Sequence, residues 1–267
     1  MRKSLLNMCL PTILCLLFSG MTAAAGELVW DLRFDSDSVG TPPKLSGLTD
    51  TVMLEKRDTP PSLPLTQFSS MQFILPTRFA VVAEDFCGIK GRSCQMVVND
   101  ADREKGSGRG PWLGLAVPPS HWNVPRWRLR FEIAAEKLMQ IGGVSLFARS
   151  GVEICTIYFF RDGVIRAGMR PDPKGGELMA DICQYRPNKP ILFEIVVDGG
   201  RRDATFAIFV NGGKEPVLEA PWKKEPQGNM AQFTHMLVFG MTTGPHADTG
   251  RLAVSGIQLR VDDAAGK

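Results

Sequence analysis

The sequence has no segment with the length and periodicity of an amphipathic α-helix; "AAEKLMQ", residues 134–140, comes nearest and is too short. It also lacks a G-x-S-x-G nucleophile elbow, a Gly-Lys-Ser/Thr phosphate loop and an H-E-x-x-H zinc pair. Its only histidines are His121, His235 and His246. These absences argue against a helical fold and remove the usual signatures of serine hydrolases, nucleotide-binding enzymes and zinc peptidases.

A surplus of charge of one sign is also missing. The chain has 31 Lys and Arg and 28 Asp and Glu. Two of the cations, Arg2 and Lys3, lie in a segment that we expect to be removed. The remaining chain would have 29 cationic and 28 acidic residues, a formal charge of about +1. Proteins that hold nucleic acid or anionic lipid by electrostatics need a basic surplus. We therefore expect no nucleic-acid partner.

No apolar run reaches membrane-spanning length. Residues 1–25 combine a cationic start, the apolar stretch "LLNMCLPTILCLLF" and the small residues of "MTAAAG". Asn7 and Pro11 interrupt the apolar stretch, which falls short of the ~20 residues that a span needs, so an uncleaved anchor is the weaker alternative. The pattern predicts a signal peptide cleaved after Ala25, a single mature domain over residues 26–267, and a secreted or periplasmic location without a membrane span.

Cysteines are few, but their number is even. Four remain after the predicted cleavage, and an even count in an exported chain predicts two disulfides, for which three pairings exist. We favour Cys87 with Cys94, because "CGIKGRSC" is a short Gly-containing loop, and therefore Cys155 with Cys183. Zinc binding is the alternative, although the spacings do not fit zinc knuckles and no histidine lies near them.

Segments with the two-residue period of a half-buried strand occur along the whole chain. Two pairs of turn residues, Asp162-Gly163 and Asn211-Gly212, predict tight turns between antiparallel strands. So many antiparallel strands must close into a barrel or stack in two layers. We predict an all-β fold, a two-sheet antiparallel jelly-roll β-sandwich, with an interior supplied by Leu129, Phe131, Ile133, Phe193, Ile195, Val197, Phe206, Ile208 and Val210.

Several of these segments resemble the concanavalin A-like lectin and glucanase superfamily, which includes laminin-G-like modules. The likeness rests on "WDLRFDSDSVGTPP" as the opening strand and turn, on "PRWRLRFEIAA", "GGVSLFAR" and "TIYFFRDGVIRAG" as central strands, and on "RLAVSGIQLRV" as the closing strand. The resemblance implies a concave sheet that often carries a carbohydrate cleft, and in some members a calcium ion that bridges the termini. A poly- or oligosaccharide is the partner it implies.

One strand carries charges on alternate residues. In the laminarinases and lichenases of this superfamily, such a strand holds three carboxylates in alternation, because retaining hydrolysis needs an acid and a nucleophile roughly 5 Å apart. Here Glu132 and Glu136 match the outer pair, as acid and nucleophile, but Ala134 stands at the centre. The outer Cα atoms would be about 13 Å apart at ~3.3 Å per residue. Hydrolysis or lyase activity through this pair is therefore the alternative interpretation.

A solvated sheet face with cross-strand ion pairs is the simplest interpretation of these charges. As a function for the chain, we favour carbohydrate binding without catalysis. A sugar site combines an aromatic ring, which packs on the sugar's C–H face, with planar polar groups that bond its hydroxyls. The sequence offers one such set of ligand-binding candidates: Arg130, Glu132, Arg149, Tyr158 and Arg166. An interaction domain of an exported assembly, without a small ligand, is the remaining alternative.

Metal sites are weakly indicated. Asp35 and Asp37 are candidate calcium ligands near the first strand, but calcium takes six to eight oxygens. The closing strand has Ser255-Gly256 where the resemblance implies an aspartate ligand. His235 and His246, with Asp248, are a still weaker set. We predict no resident metal and no cofactor, with calcium as the exception to be tested.

Overall fold

The computed structural model describes residues 26–40, 70–73, 80–98, 112–116, 121, 124–147, 153–169, 178–199, 204–223, 236–240 and 248–262. The expected signal peptide, residues 1–25, lies outside them. Within these ranges no helix has the length and apolar character needed to cross a bilayer. The regular structure consists of strands: β1 (Glu27–Leu32), β2 (Ser70–Phe73), β3 (Ala80–Glu84), β4 (Arg92–Val98), β5 (Trp112–Ala116), β6 (Arg126–Ala135), β7 (Ile141–Phe147), β8 (Glu153–Phe159), β9 (Val164–Gly168), β10 (Met179–Gln184), β11 (Ile191–Asp198), β12 (Thr205–Val210), β13 (Leu218–Pro221), β14 (Met236–Gly240) and β15 (Gly250–Val261).

The strands form two antiparallel sheets. Sheet A has eight strands in the order β13-β12-β11-β6-β15-β4-β3, and β1 also pairs with β15. Sheet B has seven strands in the order β10-β9-β8-β7-β14-β5-β2. The predicted two-sheet antiparallel jelly-roll β-sandwich is confirmed.

The interior lies between the sheets and consists of alternate residues of the strands. Leu129, Phe131 and Ile133 of β6 are fully buried, and Phe131 stacks on Phe193 of the neighbouring strand at a centroid distance of 5.6 Å. Burying a side chain of this size contributes about 1.5–3 kcal/mol. Of the nine predicted interior residues, only Val210 remains partly exposed.

The two predicted turns differ in detail from expectation. Asn211 and Gly212 both have positive φ, 52° and 73°, as a primed turn requires, but seven residues separate β12 from β13. Between β8 and β9 only Gly163 has positive φ, and the Phe160 amide donates to the Val164 carbonyl at 3.1 Å. This connection is therefore a three-residue loop that ends in a left-handed glycine.

The predicted disulfides are wrong, since all four cysteines are free thiols. Cys94 faces the space between the sheets, whereas Cys87 belongs to a separate cluster on the outer side of sheet A. Cys155 and Cys183 lie on β8 and β10, and β9 runs between them. Two strand spacings amount to about 9.5 Å, beyond the ~7 Å Cα separation that a disulfide spans. Burial raises the pKa of the Cys183 thiol to about 11 and that of Cys87 to about 12.

Strand β15 changes partner along one of its edges. Residues 250–254 pair with β4, residues 257–261 pair with β1, and β6 pairs along the opposite edge. The change falls at a β-bulge between Ser255 and Gln258, where Gly256 has a φ of 59°. A bulge bends its strand and interrupts the ladder. The end of β1 and the start of β4 therefore meet at this point.

The loop from Asp85 to Gly91, called the β3–β4 loop, covers part of the outer side of sheet A. Its Cys87 and Ile89 form a buried cluster with Ala134 of β6 and Ala253 of β15, which pair with each other. Ala134 and Ala253 alternate with residues of the main interior, so they point outward beneath the loop. The loop therefore removes this part of the outer face from solvent.

Candidate functional site

The charged residues of β6 lie on the outer face of sheet A. Arg128, Arg130 and Glu132 are exposed or half-buried, and the apolar residues between them are buried. The predicted separation of an ionic side from an apolar side is thus present along this strand. It places two of the predicted ligand-binding residues, Arg130 and Glu132, on one surface.

A groove of about 530 Å³ opens on this surface, at the point where β15 changes partner. We call it the sheet A groove. Its sides come from the end of β1, the start of β4 and the middle of β6, and its floor includes the bulge of β15. It is lined by Arg33, Asp35, Lys90, Arg92, Arg130, Glu132, Leu192, Ser255, Gly256 and Gln258.

Arg92 fixes one side of the groove. Its Nη1 donates to the Asp35 carbonyl at 3.1 Å and to the Asp37 carbonyl, and its own carbonyl accepts a bond from the Ser255 hydroxyl at 3.0 Å. A guanidinium thus occupies the backbone oxygens beside the two predicted calcium ligands. Within the described ranges no group of three or more His, Cys, Asp or Glu side chains could hold a metal.

Arg33 is held on the adjacent side. Its Nε donates to Asp31 at 3.0 Å, and Gln258 donates to the same carboxylate oxygen at 3.1 Å. These bonds, with that of Arg33 the largest cause, hold the pKa of Asp31 below its usual value. Two of the four cations in the groove therefore have their guanidinium groups positioned by the protein itself.

Other charged side chains of the groove make no bond within the described structure, so their polar groups are available to a ligand. Arg130 pairs in register with Glu194, but Glu194 accepts its bond from Arg128 instead, at 3.0 Å. In the part of the chain that the structure describes, the side chains of Lys90, Arg130 and Glu132 make no hydrogen bond or ion pair. These groups can therefore bind a ligand without breaking a contact of the fold.

The carboxylate pair predicted for catalysis does not share a site. Glu132 lines the groove, while Ala134 is buried under the β3–β4 loop. Glu136 lies beyond that covered position and faces Arg251, with 4.0 Å between the Arg251 Nε and a carboxylate oxygen. An acid and a nucleophile must face one bond of the substrate. Glu136 is not part of the groove lining, and the role of the pair as acid and nucleophile stays a prediction.

The predicted ligand-binding set is divided between the two sheets. Tyr158 lies on β8 and Arg166 on β9, which belong to sheet B, whereas Arg130 and Glu132 belong to sheet A. The set therefore cannot form one concave site, contrary to our expectation. The fifth candidate, Arg149, lies outside the described residues.

Sheet B has its own polar outer face, in which the charges are paired. Arg166 donates to Asp181 at 2.7 Å and to Asp162 at 2.6 Å, and its guanidinium lies 4.5 Å from the centre of the Phe160 ring. The bond from Arg166 is the main reason that the pKa of Asp162 lies below its usual value. Arg166 thus joins β9 to β10 and to the preceding turn.

Tyr158 belongs to a second paired group on sheet B. Lys223 lies 5.9 Å from the centre of the Tyr158 ring, and its Nζ donates to Glu153 at 2.9 Å. Glu153 also accepts a bond from Thr156. The side chains of Lys223 and Glu153 are only 11% and 15% exposed, so this ion pair is largely withdrawn from solvent.

Asp248 connects three segments of the fold through hydrogen bonds. The two histidines of the weak metal site predicted with it, His235 and His246, lie outside the described residues. Arg161 donates to its two oxygens at 2.6 and 2.7 Å, and the Gln140 amide donates to Oδ2 at 2.7 Å. These bonds, above all those from Arg161, lower the pKa of Asp248. The carboxylate thus ties the segment before β15 to the β6–β7 and β8–β9 connections.

The groove residues missed by sequence reasoning are Arg33, Lys90, Arg92, Leu192, Ser255, Gly256 and Gln258. They lie on four separate segments that no spacing rule connects. The one available signal was Gly256, an isolated glycine within a strand pattern, which indicates a bulge.

No model of a known protein family matches the chain, and no curated protein matches its sequence. Solved structures with a similar arrangement include a sialidase, at 12% identity and a TM-score of 0.49, over 73% of this chain and 17% of that chain. They also include the alginate lyase A1-II′ of polysaccharide lyase family 7, at 12% identity and a TM-score of 0.44, over 64% of this chain and 81% of that chain. A third is the alginate lyase vAL-1 from Chlorella virus, at 13% identity and a TM-score of 0.43, over 67% of this chain and 88% of that chain. The fold is a two-sheet antiparallel jelly-roll β-sandwich. This chain spans about a sixth of the sialidase, and at these identities the likeness concerns architecture alone.

Proposed function

We propose that this chain is a non-catalytic carbohydrate-binding module whose ligand lies in the sheet A groove. The observation that supports it is an open recess of about 530 Å³ whose lining includes charged side chains with no partner in the described structure. Small-ligand sites usually measure about 300–1,000 Å³. The recess therefore has room for a short stretch of a glycan chain.

The polar groups of the groove suit hydroxyl groups, which both donate and accept hydrogen bonds. Glu132 and Asp35 offer acceptor oxygens, while Arg130 and Lys90 offer donors. Arg130 and Glu132 project from adjacent outward positions of one central strand, so the backbone of β6 fixes their spacing. A site on a strand that is paired along both edges is preorganised for binding.

A binding assay with matched variants tests this proposal. Retention of the protein by a panel of neutral and acidic polysaccharides in affinity gels should be selective, and Arg130→Gln with Glu132→Gln should abolish it. Arg128→Gln is the control, since Arg128 lies on the same strand and face but outside the groove. Equal retention of the double variant and the wild type would rule out the groove as the binding site.

Cleavage of a polysaccharide is the second candidate, and one observation favours it. Asp35, in the turn after β1, and Glu132 of β6 both line the groove, so two carboxylates from distant parts of the chain face one space. A hydrolase or lyase that uses them would release new chain ends from a bound polymer, and Glu132→Gln would stop the release. Binding without such release supports the non-catalytic proposal.

We also propose that the module is exported and acts outside the cytoplasm, as the pattern of residues 1–25 suggests. Expression with residues 1–25 in a bacterial host and N-terminal sequencing of the exported protein should give Gly26 as the first residue. If the protein binds no glycan, an interaction domain of an exported assembly becomes the better description.

A further inference from the structure

We infer that the ligand of the sheet A groove is an acidic saccharide, whose carboxylate is bound by Arg130 and Lys90. This inference rests on the proposed function of the same groove and adds the chemical class of the ligand. The shared chemistry is a carboxylate on a sugar ring, as in a uronic acid within a polymer or a sialic acid at a chain end.

The charge of the lining is the first observation that points to an acid. The lining contains four cations, Arg33, Lys90, Arg92 and Arg130, and two carboxylates, Asp35 and Glu132. Arg33 is already paired with Asp31, which leaves three cations against two carboxylates. The side-chain bonds of Arg92 go to backbone carbonyls, which carry no net charge. Coulomb attraction to an anion therefore exceeds repulsion within the groove.

The second observation concerns rings. Among the described residues that line the groove, none is aromatic, and Leu192 is the one large apolar side chain. Neutral sugars are commonly bound by packing their C–H faces on aromatic rings. A site without such a ring has to obtain its affinity from charge-assisted hydrogen bonds, which are about twice as strong as neutral ones.

The third observation is that the fold holds the backbone of both residues proposed to bind the carboxylate. Arg130 lies in the middle of β6, and Lys90 lies in the β3–β4 loop. That loop is closed at its base by bonds between Asp85 and Gly91 and fixed at its centre by Ile89, which is 1% exposed. Binding would therefore order two side chains but no backbone, which limits its entropy cost.

The two carboxylates of the groove disfavour anions whose negative charges are closely spaced. Glu132 and Asp35 would repel the closely spaced charges of a polyphosphate or a nucleic acid. Each charged sugar unit of an acidic saccharide carries one carboxylate and several hydroxyls. These hydroxyls can donate hydrogen bonds to Glu132 and Asp35. The mixture of free cations and free carboxylates therefore fits an acidic saccharide better than other polyanions.

Isothermal titration with a polyuronate and with its carboxyl-reduced counterpart separates this inference from the proposed function. The two polymers differ in the carboxylate alone. We expect the polyuronate to bind at least about tenfold more tightly, as expected for the loss of a charge-assisted hydrogen bond, and to weaken as salt is raised. A sialylated oligosaccharide and its desialylated form make the second pair, which distinguishes a polymer from a chain end as the source of the carboxylate.

Variants identify the residues. Arg130→Gln and Lys90→Gln should each weaken binding of the acidic ligand by about tenfold or more, and Arg128→Gln should leave it unchanged. Thermal denaturation of each variant shows whether it folds as the wild type does. Equal binding of each acid and its neutral counterpart would overturn the inference and leave the proposed function intact. Absence of binding to all four ligands would overturn both, and acid-selective binding that survives both substitutions would overturn the assignment to Arg130 and Lys90.

Discussion

The outer faces of the two sheets use their charged residues in different ways. On sheet B, Arg166 is held by Asp162 and Asp181, and Lys223 is held by Glu153. On sheet A, Arg130 and Glu132 face an open groove and make no side-chain bond within the described structure. Alternating charges along a strand therefore do not identify a binding face by themselves. The pairing state of those charges separates the face that supports the fold from the face that is free to bind.

The largest expected change in the free energy of unfolding tests whether the β3–β4 loop covers sheet A beside the groove. Ala134→Asp would place a carboxylate beneath Cys87 and Ile89, where no water can solvate it. We expect the free energy of unfolding to fall by about 3 kcal/mol or more, measured by chemical denaturation. Glu132→Ala, two residues away on the same face, is the control and should change it by less than about 0.5 kcal/mol. A well-tolerated Ala134→Asp would show that the face is open along its whole length.

The second prediction compares the contributions of two lysines, one near each outer face, to the free energy of unfolding. Lys223→Met leaves Glu153 without its cation at a site where that carboxylate is 15% exposed, so we expect a loss of about 2 kcal/mol in the free energy of unfolding. Lys90→Met removes an exposed cation with no bond to the fold, and its effect should be close to zero. Urea denaturation of both variants checks the difference. Similar values for the two would remove the distinction between the faces.

The smallest effect concerns Asp248, which joins connections of both sheets. Asp248→Asn weakens two bonds from Arg161 and one from the Gln140 amide, and we expect a loss of about 1 kcal/mol. The pKa of Asp248 lies below its usual value, so its contribution is fully present above about pH 4, the pKa of an unfolded aspartate. It is lost as the pH falls from there through the lowered pKa.

The difference in stability between the wild type and Asp248→Asn should therefore shrink as the pH falls below about 4. Thermal denaturation in a pH series measures this difference directly. A gap that is the same at pH 3 and pH 7 would show that the bonds do not depend on the charge of the carboxylate.

The architecture could be predicted from the sequence because the period of two residues is a local property. Leu129, Phe131 and Ile133 reveal the buried side of β6 without reference to any other strand. The disulfides could not be predicted, since the order of strands decides which cysteines meet, and β9 separates Cys155 from Cys183.

The lining of the candidate groove could be predicted in part for the same reason. Arg130 and Glu132 were found because they alternate with buried residues on one strand. Their assignment to the same face as Tyr158 and Arg166 failed, because nothing local states to which sheet a strand belongs. Lys90 joins Arg130 only through the bulge in β15 and the fold of the β3–β4 loop.

The pairing of β1 with β15 has a mechanical consequence. Glu27 is opposite Val261, so tension applied to these two ends would act across the ladder and break its hydrogen bonds one after another. Such unzipping needs less force than shearing all the bonds of a strand at once. Peeling would proceed toward Leu32 and carry Arg33 and Asp35 away, so a stretched molecule would lose one side of the sheet A groove before the rest of the sandwich gave way.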